Sequence, residues 1–260
     1  MNILVLVCGI ADPKYPLPRE IDAQALASLR AAHALLSPFD EAALELALKL
    51  RDADPAVHLT ALVMATSATD PLLRTVASLR PDLTLGIDIK GLPIWDGVGL
   101  ARACASAAAQ LELSPTLVLV GRELGDCDDG TASASMAQAL GMSYNKLVLS
   151  VAITDGHMHA VRQNGARQER VRLLPSALVS VTNDARNKLR HPLLKNVMAA
   201  KKMNFNMIAP SETTPANVQL TTVAVAPVRV RASTCRMLPG DAKAQADALV
   251  ELLLGDRSAQ

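Results

Sequence analysis

The fold is indicated first by the stretch Asp40-Glu-Ala-Ala-Leu-Glu-Leu-Ala-Leu-Lys-Leu-Arg51 and the run that follows it, Val57-His-Leu-Thr-Ala-Leu-Val-Met64. The first segment carries alanine and leucine at helical spacing, whereas the second is a continuous apolar run of strand length. The alternation recurs, with apolar runs at 3–7, 83–89, 116–120 and 147–152 and helical patterns at 71–79, 97–113 and 131–140. Apolar strands that alternate with helices predict an α/β fold, in which helices flank both faces of a parallel, Rossmann-like sheet.

The pattern changes after residue 150. Asp155-Gly156 is a turn signal between two short segments and predicts an added β-hairpin, and the run at 173–181 indicates one more buried strand. Residues 210–227 are rich in Pro, Ser and Thr and predict an extended arm. Pro239-Gly-Asp241 predicts a final helix with Asp241 as N-cap and an apolar face formed by Ala242, Ala246, Leu249, Val250 and Leu253.

These segments predict a division of the chain. We expect an α/β domain at 1–205 and, at 206–260, an extended arm whose terminal helix wraps a partner subunit. The amino-terminal run Asn2-Ile-Leu-Val-Leu-Val7 begins as a strand, without a basic or Arg-rich leader, and no apolar run approaches membrane length. We therefore expect a cytoplasmic protein of prokaryotic origin that is not inserted in a membrane.

Composition excludes several classes of function. The 260 residues carry a formal net charge of +1, so no strong field attracts nucleic acid or anionic lipid. Aromatic residues make up 2%, too few for base-stacking platforms. The four cysteines show no metal-ligand spacing and are expected to be reduced thiols; they are Cys8, Cys104, Cys127 and Cys235.

The sequence contains no complete catalytic constellation. Its five histidines lie in separate segments, and His157 and His159 in the predicted hairpin are more typical of a solvated pair than of a metal site. No nucleophile elbow, Walker lysine motif or dinucleotide fingerprint occurs. We expect neither a metal site nor catalytic residues, and hence a protein that is not an enzyme.

Two segments have features of a nucleotide site. In Ser37-Pro-Phe-Asp40, Ser37 suits an N-cap, Pro38 suits the first helical position, and Asp40 completes a pattern that resembles a capping box. A helix N-terminus also offers amide donors to a phosphate. Because Asp40 would repel an anion, helix capping alone is the equal alternative. The second segment is the loop 121–131, where glycines let backbone amides converge beside Arg122 and Thr131.

A further segment, Arg190-His-Pro-Leu-Leu-Lys-Asn-Val-Met-Ala-Ala-Lys-Lys202, predicts a short helix. Its lysines Lys201 and Lys202 lie in the last turn, where cations suit the helix dipole. An apolar stripe at helical spacing is formed by Leu193, Leu194, Val197 and Met198. The stripe can dock into a partner's groove or pack on the chain's own core, and the pattern alone favours the core.

In order along nearly the whole chain, these segments resemble the electron transfer flavoprotein beta subunits. Residues 190–198 resemble the family's dehydrogenase recognition loop, and Ser37-Pro-Phe-Asp-Glu41 resembles its asparagine-proline-phenylalanine motif. Leu72-Leu-Arg-Thr75 resembles a helix start of the family, and residues 121–136 fall where its nucleotide loop lies. The resemblance implies an electron-carrier subunit with an adenine-nucleotide-binding type of sheet.

The resemblance also implies partners and a route for electrons. An alpha subunit would hold the redox FAD, flavin dehydrogenases would donate electrons, and the electrons would pass toward the respiratory chain, with a membrane quinone oxidoreductase as a further candidate partner. Within a recognition loop at 186–203, Leu194 would enter a dehydrogenase pocket beside Leu193, Val197 and Met198.

Further roles follow from the same resemblance. Tyr15 and Phe39 would lie near the alpha-subunit flavin, with ordinary packing as the alternative. Glu169 would pair with an arginine of the alpha subunit, and Gln168 is the rival because the alignment shifts by one residue there.

The resemblance implies a nucleotide in this subunit as well. AMP, or a second FAD as in electron-bifurcating members, would be lined by Leu6, Ser37, Pro38, Phe39, Asp40, Met64, Arg122, Asp126, Asp129, Gly130, Thr131 and Ser133. The chain departs from the family pattern at Cys8-Gly9 and at Gly130-Thr-Ala-Ser133. AMP is favoured over FAD because the bifurcating loop pattern is incomplete. A nucleotide-binding sensor of universal-stress type, with a similar sheet, is the alternative class.

Overall fold

The computed structural model describes residues 1–16, 20–90, 92, 96–111, 114–123, 130–211, 223–224 and 237–255. Several predicted features lie outside the described residues, namely Asp126, Asp129, most of the arm at 210–227 and the end of the helix predicted at 97–113. The chain divides into two compact units, 1–225 and 226–260. The boundary predicted at 205/206 stays a prediction.

The first unit contains thirteen strands and six helices in the part that is described. The strands are β1 Asn2–Val7, β2 Ile10–Ala11, β3 Glu20–Ile21, β4 Ala34–Leu35, β5 His58–Ala65, β6 Leu83–Asp88, β7 Leu117–Gly121, β8 Ser143–Thr154, β9 His157–Asn164, β10 Arg167–Arg172, β11 Ala177–Val181, β12 Met207–Ile208 and β13 Val223–Ala224. The helices are α1 Ala23–Ala32, α2 Pro38–Ala53, α3 Pro71–Ser78, α4 Gly97–Gln110, α5 Ala132–Ala139 and α6 Leu194–Ala200, and a 3₁₀ turn spans Ala185–Asn187.

Nine of the strands form one sheet in the order β10-β9-β8-β11-β7-β1-β5-β6-β12. Along the part of this order that reads β8-β11-β7-β1-β5-β6-β12, every neighbouring pair of strands is parallel. At the other end of the sheet, β9 pairs antiparallel with both β8 and β10. This arrangement confirms the predicted α/β fold and its added hairpin, which turns at Asp155-Gly156 with both residues at positive φ.

The core consists of one apolar layer on each face of the sheet. Along β1, Ile3, Val5 and Val7 pack into the layer beneath α2 and α3. Leu4 and Leu6 of the same strand pack into the layer beneath α4 and α5. Because successive side chains of a strand point to opposite faces, a strand that is apolar at every position needs cover on both sides.

The second unit contributes α7, Ala242–Gly255, among its described residues. The predicted N-cap is confirmed, because the Asp241 carboxylate accepts a hydrogen bond of 2.9 Å from the amide of Ala244. The apolar side chains of this helix are exposed within the unit, with Leu253 at 64%.

The structure corrects several predicted boundaries. The strand predicted at 147–152 is the twelve-residue β8, which contains a bulge with Leu147 at φ 55°. The run at 173–181 forms a strand only from Ala177, because Pro175 and the positive φ of Ser176, 61°, interrupt it. Helix α1 and strand β10 were not predicted from the sequence.

Candidate functional site

Helix α6 and the residue before it separate the predicted apolar stripe into two sides. Leu193, Leu194 and Met198 are 60%, 77% and 50% exposed. Val197 is half-buried and Ala200 is buried, on the side where α6 packs against α3. One side of the helix therefore joins the core, whereas the other presents apolar side chains to solvent, and docking by that second side stays a prediction. We call Leu193, Leu194 and Met198 the docking surface.

An ion pair fixes the entry to this helix. The Arg190 guanidinium donates hydrogen bonds of 3.0 Å from Nε and from Nη2 to the two carboxylate oxygens of Glu45 on α2. The Arg190 backbone amide donates a further bond of 3.1 Å to the same carboxylate. The Nη1 atom of Arg190 donates to the carboxylate of Asp52, which lies further along α2. A planar guanidinium bound by two parallel bonds leaves little rotational freedom. Arg190 with Glu45 and Asp52, which we call the clamp, therefore holds on α2 the start of residues 190–203, which we call the docking segment.

A second anchor lies just before the clamp. Asn187 is buried, and its side-chain amide donates a 2.7 Å bond to the carbonyl of Leu149 in β8. The Asp184 carboxylate accepts from the amide of Arg186 at 2.9 Å and closes the 3₁₀ turn. Buried polar side chains that satisfy backbone groups fix a loop conformation. The segment leading to α6 is thus fastened to the sheet and to α2 before its apolar side chains emerge.

The electrostatics of the clamp favour its charged form. Hydrogen bonding to Glu45 raises the pKa of Arg190 above its ordinary value. Burial alone would raise the pKa of Asp52, but hydrogen bonds from Arg190 and Arg51 outweigh it and hold that pKa below the usual range. The guanidinium and the Asp52 carboxylate are therefore both ionised at neutral pH.

The start of α2 is a complete capping box, as predicted. Ser37 Oγ accepts a 3.0 Å bond from the Asp40 amide, and the Asp40 carboxylate accepts a 3.0 Å bond from the Ser37 amide. The same carboxylate accepts bonds of 3.1 and 3.0 Å from the amides of Cys8 and Gly9, in the turn after β1. Asp40 is fully buried, and this burial raises its pKa while the amide bonds oppose the rise.

The buried carboxylate of Asp40 occupies an anion-binding arrangement within the chain. The amides of Ser37, Cys8 and Gly9 converge on it, and Pro38 has no amide hydrogen to offer. Arg30 lies on the other side of the β1 turn, where its buried guanidinium donates to the carbonyls of Gly9, at 3.0 Å, and Cys8. Donors that are already used within the chain suit a phosphate poorly. The role of Ser37 and Asp40 in a nucleotide site stays a prediction.

Phe39 and Arg122 are half-buried at this edge. The Arg122 guanidinium carbon lies 4.8 Å from the centroid of the Phe39 ring, and Nη2 pairs with Glu123. Gly121 is needed here, because a Cβ would lie 3.0 Å from Phe39 Cβ and 3.1 Å from its carbonyl carbon. Leu6 and Met64, which the sequence also assigned to the site, are each 2% exposed.

The described end of the nucleotide loop is more open. Gly130 has φ +71°, and a Cβ there would meet nothing within 4 Å. Thr131 precedes α5, and the buried Ser133 places its hydroxyl 2.8 Å from that of Tyr144, which lies 3.4 Å from Ser180 Oγ. Space and backbone freedom at Gly130 suit a ligand better than the start of α2 does. Asp126 and Asp129 lie outside the described residues.

Tyr15 forms a stacked pair that the sequence did not reveal. Its ring centroid lies 3.5 Å from that of His33, with an interplanar angle of 11°. Tyr15 remains 46% exposed. A ring held by stacking is limited in its rotamers, so Tyr15 is presented to solvent in one orientation.

Glu169 has partners within this chain. Its carboxylate accepts 3.0 and 2.9 Å bonds from Nε and Nη2 of Arg162, and a 2.5 Å bond from the side-chain amide of Asn164. These bonds, the one from Asn164 first and those from Arg162 next, hold the pKa of Glu169 below its usual value. The rival Gln168 is exposed on β10. The glutamate on the hairpin is thus already ionised and oriented.

The part of the chain that the structure describes contains no group of three or more His, Cys, Asp or Glu residues able to hold a metal ion. His157 instead lies 2.9 Å, at Nδ1, from Nη2 of Arg172. No helix within the same ranges is long and apolar enough to cross a membrane.

The structure thus combines a mostly parallel α/β sheet with a short helix whose entry is held by an ion pair and whose outer side chains are apolar and exposed. Residues 26–213 match the family model described as the electron transfer flavoprotein domain, so the chain belongs to the electron transfer flavoprotein beta-subunit family. The predicted family is confirmed. Membership places the chain among electron-transfer subunits rather than among enzyme families.

The curated relatives cover most of the chain. It is 25% identical to the electron transfer flavoprotein subunit beta of Syntrophomonas wolfei, over 78% of each protein. It is 26% identical to the protein of that name from Mycobacterium bovis, over 81% of this chain and 80% of the relative. The mitochondrial subunit beta of Oryza sativa is 27% identical over 68% of this chain and 70% of the relative.

Proposed function

We propose that this chain is the beta half of a heterodimer whose alpha subunit carries the redox FAD. Flavin-dependent dehydrogenases dock on α6 and pass electrons to that FAD, and the electrons leave toward the respiratory chain by way of a membrane quinone oxidoreductase. The flavin supplies the electron-accepting chemistry. This chain positions the donor and covers the flavin, in the cytoplasm of a prokaryotic cell.

The exposure of Leu194 is the observation that carries the proposal. A leucine that is 77% exposed on a helix whose entry is fixed by a partly buried ion pair is an apolar anchor without a pocket of its own. Leu193 and Met198 flank it, and such a patch gains free energy when a partner covers it. We assign Val197 to the same proposed contact, although it is half-buried on the side of α6 that packs against α3.

Tyr15 and Phe39 are the residues that we assign to the flavin edge. Phe39 opens α2 beneath the Arg122 guanidinium, and Tyr15 is held by the His33 ring. Each ring is already fixed by one neighbour, so each can pack against an isoalloxazine without losing further rotamer freedom.

AMP is the nucleotide that we assign to this subunit, with its phosphate at the Gly130-Thr131 turn. Open space at Gly130 supports this placement, whereas the amides around Asp40 are already used. Leu6, Met64, Arg122 and Ser133 remain assigned to the site, together with Ser37 and Pro38 at the start of α2.

Glu169 remains our candidate for the ion pair with an alpha-subunit arginine. Arg162 and Asn164 hold its carboxylate on the exposed edge strand β10. An incoming arginine would share the Glu169 carboxylate with Arg162 or would displace Arg162 from it. Because one ion pair would replace another, the contact between the subunits would be reversible. Gln168, the rival position, has no charge to contribute.

The function is tested by producing the chain together with an electron transfer flavoprotein alpha subunit from the same organism. We expect a yellow heterodimer that is reduced by at least one purified member of a panel of acyl-CoA, dimethylglycine and sarcosine dehydrogenases. Leu194→Ala should raise the KM of that dehydrogenase for the heterodimer at least about tenfold, because truncating a central anchor costs on the order of 2 kcal/mol. FAD content should stay unchanged.

Leu174→Ala is the matched control, because Leu174 is 64% exposed on the loop before β11. It should leave the KM within about twofold of the wild-type value, as surface substitutions away from a contact do. A colourless homodimer that binds adenine nucleotide alone would support the sensor alternative and refute the proposal. A yellow heterodimer that none of the panel reduces would refute the dehydrogenase role.

A further inference from the structure

A groove runs along the junction of α6 and α3, next to the docking surface. Its volume is about 420 Å³, and its walls include Arg74 and Ser78 of α3 on one side and Val197 and Lys201 on the other. Val197 and Lys201 are one helical turn apart and lie directly behind the exposed Leu194 and Met198. The groove and the docking surface are therefore two sides of one short helix.

Arg74 is the unexplained side chain of this groove. Its Nε atom is buried and has no hydrogen-bond partner. Within the described part of the chain its guanidinium takes part in no hydrogen bond or ion pair, whereas Arg190, Arg162 and Arg186 each pair with a carboxylate. A buried donor without a partner carries an uncompensated desolvation cost. Because Arg74 as a whole is half-buried, its guanidinium is accessible to an acceptor that enters the groove.

The charged residues that line the groove, Arg74 and Lys201, are both cationic, and the carboxylate of Asp70 next to the wall residue Pro71 is buried as the N-cap of α3. Residues 71–80, which contain α3, have two arginines and no carboxylate. Residues 191–203, which contain α6, have three lysines and no carboxylate. Arg80 and Lys195 extend this field beyond the groove itself. A cationic pocket without internal counter-ions favours a negatively charged occupant.

We propose that this groove is a carboxylate receptor, in which Arg74 and Lys201 bind an Asp or Glu side chain of the dehydrogenase that docks on α6. The inference rests on the proposed function and adds the chemistry of the partner: an apolar pocket for Leu194 with an acidic residue beside it. A guanidinium receives a carboxylate through two parallel bonds, so Arg74 sets orientation and Lys201 adds charge.

A side chain of the docked protein fits the groove better than a free anion does. Pro192 and Val197 give the groove an apolar wall on the side of the docking surface. An aliphatic stem that ends in a carboxylate matches an apolar wall that faces a guanidinium, whereas an inorganic anion offers nothing to that wall. Arginine beside an apolar anchor is also a common composition for the centre of a protein interface.

The test measures reduction of the heterodimer by the panel dehydrogenase that reduces it best. Arg74→Ala should raise the KM of that dehydrogenase about tenfold, as loss of a charge-assisted hydrogen bond does, with kcat and FAD content unchanged and with a Tm no lower than that of the wild type. Arg74→Lys should give an intermediate KM, because it keeps the charge and loses the fork. Added NaCl should shrink the difference between wild type and Arg74→Ala.

Arg102→Ala is the matched control, since Arg102 is an exposed cation on α4, which packs on the opposite face of the sheet. If Arg74→Ala changes the KM no more than Arg102→Ala does, the proposed carboxylate receptor is wrong.

Inorganic sulfate gives a second test, measured by Tm. If sulfate raises the Tm of the wild type and not that of Arg74→Ala, while the KM of Arg74→Ala equals that of the wild type, the groove binds a free anion and the receptor is again wrong. If wild type is reduced normally but Arg74→Ala behaves as wild type, only the receptor fails. If no dehydrogenase reduces the wild type, the proposed function fails with it.

Discussion

Arg190 and Glu45 are joined by two parallel hydrogen bonds of 3.0 Å although 145 positions separate them in the sequence. The Glu45 side chain is 6% exposed and that of Arg190 is 38% exposed, so the pair lies at the boundary between core and solvent. Helix α2, which carries Glu45, begins at the capping box beside Phe39. One rigid helix thus connects the proposed flavin edge to the proposed docking segment.

Removing the buried carboxylate should release the docking segment. Glu45→Ala leaves the Arg190 guanidinium with Asp52 alone, and we expect a loss of about 2 kcal/mol, below the full cost of breaking a fully buried pair because Arg190 is partly solvated. Hydrogen exchange followed by mass spectrometry should show faster exchange in peptides covering 190–203, with peptides of β1 and β5 unchanged. The measurement is made on the heterodimer.

Arg186→Ala is the control for that substitution. The Arg186 side chain also pairs with a carboxylate, that of Asp184, but it is 51% exposed, and the contact of Arg186 with α2 is made by its backbone carbonyl, which accepts from Lys49 and is kept in the alanine variant. Loss of the side chain should change the free energy of unfolding by less than about 0.5 kcal/mol and leave exchange in 190–203 as in the wild type. Equal exchange in Glu45→Ala and wild type would show that the clamp does not position the segment.

The clamp should also give a defined response to acid. The pKa of Asp52 is lowered in the fold by its hydrogen bonds to Arg190 and Arg51, which outweigh the effect of burial. A carboxyl whose pKa is lowered stabilises the fold above its unfolded value of 3.8 and loses that contribution as the pH falls through the folded value. Because Asp52 is largely solvated, we expect less than about 1 kcal/mol from it.

Urea unfolding of wild type and Asp52→Asn between pH 3 and 7 measures this contribution. The difference in free energy of unfolding should be constant from pH 7 to about 5 and should decline below the ordinary carboxyl pKa, about 3.9. The contribution of Asp40 has the opposite sign, because burial raises the pKa of Asp40 above its ordinary value of 3.8. Its contribution to the free energy of unfolding therefore changes with pH above 3.8, not below it. A difference that grows as the pH falls would contradict the assignment to Asp52.

The comparison of sequence with structure separates local from distant determinants. Ser37 and Asp40 were predicted correctly as a capping box, because residues three apart at a helix start contact each other in any fold. The Arg190–Glu45 clamp could not be predicted, since nothing in either local sequence indicates the other. Buried charges such as Arg30 are missed for the same reason, because their acceptors are backbone carbonyls that only the tertiary fold brings near.

The docking segment shows the limit of periodicity as a signal. Helical spacing correctly placed Leu194 and Val197 on a helix, but both belong to one stripe in the sequence. Only the packing of α6 on α3 decides that Val197 faces the groove and Leu194 faces solvent. Sequence pattern defines a face, whereas the neighbouring helix determines how much of that face remains for a partner.

The turn after β1 gives the last prediction, at the departure from the family pattern. Gly9 has φ +66°, and a Cβ there would lie 2.6 Å from Cδ2 of Leu72 and 3.1 Å from the carbonyl oxygen of Leu35. The first atom can move with its side chain, but the second belongs to the backbone. Gly9→Ala should therefore cost about 1–2 kcal/mol for the left-handed backbone and about 1–3 kcal/mol more for overpacking.

Gly141→Ala isolates the backbone part of that cost. Gly141 has φ +64°, and a Cβ at this position would meet nothing within 4 Å. Urea unfolding should then show a loss of about 1–2 kcal/mol for Gly141→Ala and a clearly larger loss for Gly9→Ala. Equal losses in the two variants would mean that the turn after β1 can shift away from Leu35. In that case the amides of Cys8 and Gly9 are not held rigidly against Asp40.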